Sequence, residues 1–371
     1  MKGEPPAAPQ PGFRSVGDNG VRLFGLLPTE RARRFAVKAG MDPDARGGPV
    51  VLANLDHACD PAWYAYLARA PGSVLTLGGR PVLAHALDEA AAAEIGAAMR
   101  GGLLRLPVGH SELAAETAGN LHSAALRKRE APFVMPLTPA TAIAAERASY
   151  DGAYKGVTDL LTLYLWRRPA FHLTRWAAAA GLSPNFITAV GAVLCVLAFY
   201  LFWVGDYWPG IAAGFVFMVL DTVDGKLARV TGTSSKWGEV FDHGIDLVHP
   251  PFWWWAWAEG LDAYGTPVAR ETFWIVLGVI FAGYVLQRVI EGVFIGRFGM
   301  HIHVWERIDS RFRLITARRN PNMVILVAAM LFARPDLGIV AVAWWTAFSL
   351  LFHAVRLAQA FGRGRVESWL G

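Results

Sequence analysis

The sequence predicts an α-helical membrane protein: a six-transmembrane-helix bundle preceded by an interfacial amphipathic helix and a cytoplasmic α/β domain. Three observations point there. Of 371 residues, 54% are hydrophobic and 18% charged, with 15 Trp and 21 Phe, whereas a soluble domain carries about 25% charged residues. Composition also changes sharply near residue 180, from frequent charges and short apolar runs to long apolar ones. Finally, Lys and Arg collect on alternate loops between those runs. This balance excludes a disordered chain or a nucleic-acid-binding tail, so no nucleic acid is expected as a partner. Cys59 and Cys195 are too few for a disulfide framework and read as packed free thiols.

Residues 1–21 read as a disordered Pro-rich tail without the apolar run of a signal peptide. Residues 22–150 read as the cytoplasmic α/β domain. Its short apolar runs Val50 to Asp56 and Ser73 to Leu77 suit buried strands, and Asp88 to Arg100 suits a helix. Residues 151–182 carry Trp166, Arg167, Arg168, His172, Arg175 and Trp176 among leucines, the pattern of a helix lying at the membrane interface. A helix packed on the bundle would use the same pattern. The segment Leu126-Arg127-Lys128-Arg129 reads as a solvated helix face.

Residues 183–371 supply the bundle. The run Phe186 to Val204 has no charge, and at about 1.5 Å per residue it crosses a core of roughly 30 Å. Trp208 to Arg229, Gly238 to Leu261, Phe273 to Arg297, the short Asn322 to Ala333, and Leu337 to Val355 complete six. Lys226, Arg229, Lys236, Arg297, Arg307, Arg356 and their neighbours lie on the loops that share a side with the N-terminal domain, against Arg270 and Arg334 opposite. By the positive-inside rule that side is cytoplasmic, in the cell (inner) membrane.

The chemistry sits between the second and third spans. Asp221 and Asp224 are three apart at the end of one helix, Asp242 and Asp246 four apart at the start of the next. Each pair projects from one face. A short connection makes the helices antiparallel, so four carboxylates converge at the membrane surface. Intramembrane acids are costly and mark functional sites. Hard oxygen donors without His or Cys suit Mg²⁺ or Mn²⁺, and two such ions would clamp a diphosphate. Gly225, Ala228 and Gly238 are small where the helices face each other, which leaves room for a ligand or allows tight packing.

Asp221-x2-Asp224-Gly225-x2-Ala228-Arg229-x8-Gly238-x3-Asp242-x3-Asp246 resembles, at all eight positions, the signature of the CDP-alcohol phosphotransferases. The resemblance runs from about Tyr154 to the end. It implies that a CDP-linked donor gives its substituted phosphoryl group to a hydroxyl acceptor, a lipid or an alcohol, with release of CMP. Asp221, Asp224, Asp242 and Asp246 would be ligands of two metal ions, and Asp246 also the general base. Gly225, Lys226, Ala228, Arg229 and Gly238 would border the cytidine diphosphate. Ser183-Pro184-Asn185 with Thr188 is similar to the family's pattern at the first span, and equally to an N-cap followed by Pro. A homodimer among membrane lipids is implied too.

Asp224-Gly225-Lys226 and Phe241-Asp242-His243-Gly244 look like the choline/ethanolamine branch, which uses a soluble CDP-alcohol and a lipid hydroxyl. There His243 would help deprotonate the acceptor; it could instead orient Asp242. CDP-diacylglycerol as donor, with a soluble alcohol or inositol phosphate as acceptor, is a second reading. A non-enzymatic ion-binding protein is a third. Arg307, Arg311, Arg313, Arg318 and Arg319 crowd one loop, where they would hold a phosphate or simply face anionic lipid. His301 and His303 lack a ligand pattern. In the N-terminal domain Arg22 to Arg34 and Ala53 to Asp56 resemble parts of a nucleotidyltransferase, but no glycine-rich phosphate loop is present. That domain reads as degenerate, with Asp56 its candidate metal ligand.

Overall fold

The computed structural model describes residues 10–45, 47–123 and 126–371. Residues 1–9, part of the expected tail, lie outside the described residues. The chain enters a sheet at β1 (Gly12–Val16), earlier than a tail ending at residue 21 would put it.

After α1 (Pro28–Lys38) come β2 (Val50–Asn54), β3 (His57–Cys59), α2 (Pro61–Leu67), β4 (Ser73–Leu77), β5 (Arg80–Ala86), α3 (Glu89–Met99) and β6 (Ser111–Ala114). Five strands form one sheet in the order β1-β2-β5-β4-β6. β1 pairs with β2 and β4 with β6 in parallel, while β5 runs antiparallel to both β2 and β4. Val50 and Leu52 pack with Ala91 and Ile95 of α3; Val51 and Ala53 pack with Phe35 of α1 and Trp63 of α2. Cover on both faces explains why the β2 run is apolar without alternation. Asp60 and Asp88 cap α2 and α3, each Oδ1 accepting a backbone N–H at 2.8 Å. A hairpin of β7 (Leu121–Ser123) and β8 (Lys128–Glu130) follows, then β9 (Val134–Pro136), which pairs with β3. The segment expected as a solvated helix face is therefore the return arm of a hairpin: its basic residues sit in a tight turn and a strand.

The expected interfacial helix is in pieces. α4 (Ala142–Gly152) ends early, a π-turn covers Leu161–Leu165, and α5 (Arg167–Ala179) follows. α5 buries Ala170, Phe171, Thr174 and Ala177, while Trp176 on its other side is 64% exposed.

The remaining chain is helical: α6 (Pro184–Trp203), α7 (Tyr207–Val230), α8 (Lys236–Tyr264), α9 (Arg270–Phe298), the short α10 (Arg307–Arg313), α11 (Arg319–Leu331) and α12 (Pro335–Arg363). The six apolar stretches fall in α6, α7, α8, α9, α11 and α12. By length and composition three of these, α6, α9 and α12, are apolar enough to cross a membrane. With 13 residues, α11 reaches only about 20 Å.

Aromatic residues lock α8 to its neighbours. Trp253 Nε1 donates to the Cys195 carbonyl of α6 at 3.0 Å, and Trp257 Nε1 to the Pro335 carbonyl of α12 at 3.2 Å. Where α8 crosses the turn after α6, no side chain fits: a Cβ at Gly260 would lie 2.0 Å from the Phe202 carbonyl oxygen. Gly260→Ala is expected to cost at least about 2 kcal/mol, because the obstacle is backbone and cannot rotate away. Thermal unfolding in detergent reads this, and an unchanged midpoint would contradict so close a crossing.

Pro250 and Pro251 lie inside α8 and give no N–H to the carbonyls of Asp246 and Leu247. A hydroxyl from the next helix replaces one of them. Tyr284 of α9 donates to the Leu247 carbonyl at 2.8 Å and lies 3.5 Å from that of Asp246.

Candidate active site

α7 ends and α8 begins on the same side, joined through residues 231–235. Ser235 caps α8 by accepting from Gly238 N at 3.0 Å, which fixes where the acidic face starts. On α7, Asp221, Asp224, Gly225 and Ala228 recur at helical spacing; on α8, Gly238, Asp242 and Asp246 do so. The result is a cluster: ligand atoms of Asp221, Asp242 and Asp246 all lie within 4.8 Å of one another. Asp224 borders the same gap as Asp221 and Asp242 but turns Oδ2 to Thr188 Oγ1, which donates at 2.6 Å. Its Oδ1 is buried without a partner among the described residues.

The gap already receives one cation. Arg319, the first residue of α11, donates from Nη2 to Asp221 Oδ2 and from Nη1 to Asp246 Oδ1, both at 2.7 Å. Its guanidinium also lies over the Phe217 ring, 4.9 Å from the centroid. Among the arginines of its loop, Arg319 is the one that reaches the aspartates.

These residues suit a divalent cation. The donors are hard carboxylate oxygens, a guanidinium stands between two of them, and Asp224 keeps an unsatisfied buried acceptor. Asp221, Asp242 and Asp246 would hold it, with Asp224 at the edge.

The other expected site residues fall around the carboxylates. Lys226 is 3% exposed, donates to the Ala153 carbonyl at 3.0 Å and stands 3.2 Å from the Tyr154 ring centroid. Arg229 Nε donates to the same carbonyl at 3.1 Å. Both cations are thus positioned by the stretch after α4. Gly238 lies where α8 meets the start of α6: a Cβ there would sit 3.0 Å from Asn185 Oδ1. Ser183 caps α6 by accepting from Phe186 N at 3.2 Å, with Pro184 in the first turn. The N-cap reading of this motif holds, and Thr188 with Asn185 still reaches the site. His243 is exposed on the cavity wall one turn before Asp246. Asp56 is exposed and outside the cavity, so it does not join the acidic cluster. His303 is buried, with Nε2 3.1 Å from Glu291 Oε1.

All this opens on a cavity of about 1340 Å³, lined by Ala228, Gly225, Asp246 and Arg319 and extending to Arg31, Asp60 and Lys155 of the preceding region. Arg34 Nη1 donates to the Thr231 carbonyl at 3.1 Å, and Lys38 bonds Ser234, so α1 grips the loop between the two acidic helices.

Residues 181–355 match the family described as CDP-alcohol phosphatidyltransferase. That stretch, a little under half of the chain, is thus similar to that family's phosphatidyltransferase domain. Cholinephosphotransferase 1 of Gallus gallus is 34% identical over 33% of this chain and 39% of its own length. Phosphatidylinositol phosphate synthase of Mycolicibacterium smegmatis is 33% identical over 29% of this chain and 53% of its length. Archaetidylinositol phosphate synthase of Pyrococcus horikoshii is 36% identical over 22% and 43%. The chain thus spans about half or less of these relatives' lengths. The phosphatidyltransferase domain contains all four aspartates, Arg319, Asn185 and Thr188; Lys155, Tyr154 and the N-terminal sheet lie before it.

Inside the phosphatidyltransferase domain, Thr188→Val removes the side-chain donor to a buried carboxylate. It is expected to cost about 1–3 kcal/mol. Thermal unfolding in a chelating buffer measures this, and a midpoint equal to that of the parent would show that Asp224 does not depend on Thr188.

Proposed function

We propose that the chain transfers a substituted phosphoryl group from a CDP-linked donor to a hydroxyl acceptor in phospholipid synthesis, releasing CMP. One observation carries the reading: at the signature spacing, three carboxylates converge on a cavity, and the last of them is open. The Asp246 side chain is 42% exposed, against 17% for Asp221. Arg319 engages Oδ1 of Asp246, which leaves Oδ2 for a substrate proton.

Mg²⁺ or Mn²⁺, two ions on the four aspartates, would neutralise the diphosphate and the charge developing on the transferred group. The chain's own residues do the rest. Asp246 takes the acceptor hydroxyl proton as the acceptor oxygen bonds the phosphorus that bears the non-nucleotide group; the bond from that phosphorus to the CMP oxygen breaks. His243, on the same wall, is a second proton acceptor. Gly225, Ala228 and Gly238 leave backbone surface open to the nucleotide, with Lys226 and Arg229 held beside it by the Ala153 carbonyl. Asn185 lies at the same helix crossing.

The donor read here is a soluble CDP-alcohol and the acceptor a lipid hydroxyl. Asp224-Gly225-Lys226 and His243 support it, as does a relative named for cholinephosphate transfer. The arginines near α10 favour a second reading, CDP-diacylglycerol with a phosphorylated alcohol, in line with relatives named as inositol phosphate synthases. Six spans, with the N-terminal domain and site on the cytoplasmic face of the cell membrane, complete the proposal.

CMP release by the purified protein with Mg²⁺ or Mn²⁺ is the test. One series offers CDP-diacylglycerol with soluble alcohols, the other CDP-choline, CDP-ethanolamine, CDP-glycerol or CDP-inositol with lipid acceptors. Release in the second series alone supports the soluble-donor reading, and release in the first alone supports the other. No release in either, with Asp221→Ala indistinguishable from the parent, would sink the transferase reading.

A further inference from the structure

The cavity has a second lining that the transfer step leaves unused. Arg127 and Lys155, both before the phosphatidyltransferase domain, share it with Arg313 and Arg318 from the segment after α9. Arg127 stands just ahead of β8 with φ at 49°, a left-handed conformation that is costly for a residue with a Cβ. The turn is tied down next to Lys155, since Gly156 N donates to the Leu126 carbonyl at 2.8 Å. Neither Arg127 nor Lys155 makes a hydrogen bond or ion pair with another described residue.

Deeper in the lining, Arg313 is 7% exposed, and its Nε and Nη1 are buried with no hydrogen-bond partner among the described residues. The nearby acids are committed elsewhere. Glu291 pairs with Arg288, Arg318 and His303, and Asp159 accepts from Asn320 and Thr162. Arg127, Lys155, Arg288, Arg313 and Arg318 are five cations facing those two carboxylates. Their mutual repulsion is felt: burial and Arg318 bring Arg127 down to about 10, and burial with Arg127 and Arg229 lowers Lys155. Lys155 also feels Asp242 and Asp221, so this surplus of positive charge adjoins the acidic cluster. Burying a cation with unmade hydrogen bonds is costly, and an anion that completes them relieves that cost. Guanidinium groups do so best with phosphate oxygens.

We infer that the N-terminal region is a working wall of the site: Arg127 and Lys155, together with Arg313, form an oxyanion subsite that binds a phosphate ester group of a substrate. This rests on the transferase reading for which molecule brings the phosphate, the CDP donor or a phosphorylated acceptor.

The test uses the full-length protein in detergent with inorganic phosphate as probe. Phosphate is expected to raise the unfolding temperature of the parent protein. Arg127→Gln and Lys155→Gln should each weaken that binding about tenfold, the loss of a charge-assisted contact, while Arg127→Lys retains part of it. Arg127→Gly, which suits the left-handed backbone, separates folding from binding: it should fold as well as the parent and lose phosphate. In turnover, a raised KM for the acceptor alone assigns the subsite to an acceptor phosphate, and a raised KM for the donor alone assigns it to the CDP diphosphate. Phosphate stabilisation unchanged in both glutamine variants overturns the inference, whatever the turnover. If no substrate releases CMP but the variants still lose phosphate binding, the transferase reading fails and the subsite stands.

Discussion

Asp246→Asn is expected to lower CMP release by about 10³-fold, the usual contribution of a positioned general base. The protein should otherwise be undisturbed. Asparagine keeps an oxygen where Arg319 Nη1 now donates at 2.7 Å, and the position is part-exposed, so no charge is stranded. Steady-state rates with saturating Mg²⁺, beside an unfolding curve, separate the two effects. A variant that retains more than about a tenth of parental turnover would move the proton-accepting role elsewhere, and His243→Gln would then be the next measurement.

Arg319→Ala carries the second large effect. Arg319 holds Asp221 and Asp246 together with its side chain only 12% exposed. Deleting it leaves two carboxylates crowding a third with no cation between them. Breaking a buried pair costs about 3–5 kcal/mol, and the openness of Asp246 puts the loss near the lower figure. In a chelating buffer the variant should therefore unfold well below the parent. Adding Mg²⁺ or Mn²⁺ should then raise its unfolding temperature more than it raises that of the parent, because the ion supplies the charge that arginine no longer does. Equal shifts in the two proteins would mean that Arg319 does not compete with the ion, and no shift in either would mean that the carboxylates do not form a cation site.

The acidic half of this site was legible because helical spacing does the work. Asp221 with Asp224, and Asp242 with Asp246, share faces by periodicity alone, and a connection of a few residues brings the faces together. Small residues at 225, 228 and 238 were visible for the same reason. Arg319 was not singled out, since it lies 98 residues from Asp221 and sits among other arginines that positive-inside charge accounts for equally well. Nothing local marks the one that turns inward. Arg127 was misread for a related reason: a basic run looks alike on a solvated helix and on a strand whose turn tucks one member inside. The break between α4 and α5 was missed because leucines and arginines around residue 165 keep an amphipathic rhythm through a π-turn. Asn185 and Thr188 were found through their motif, but only the meeting of α6 with α7 and α8 showed what they touch.

The proline pair in α8 gives that helix a joint. Below it, tryptophans rivet the helix to two neighbours; above it, the turn that carries Asp246 is held by a phenol from α9 rather than by its own ladder. The aim of the acidic turn is therefore set partly by Tyr284, a residue outside the carboxylate cluster that lines the same cavity. Drift at position 284 can swivel this turn without altering a single carboxylate. In a helix jointed in this way, the direction of one turn can change while the ladders on either side of it stay intact.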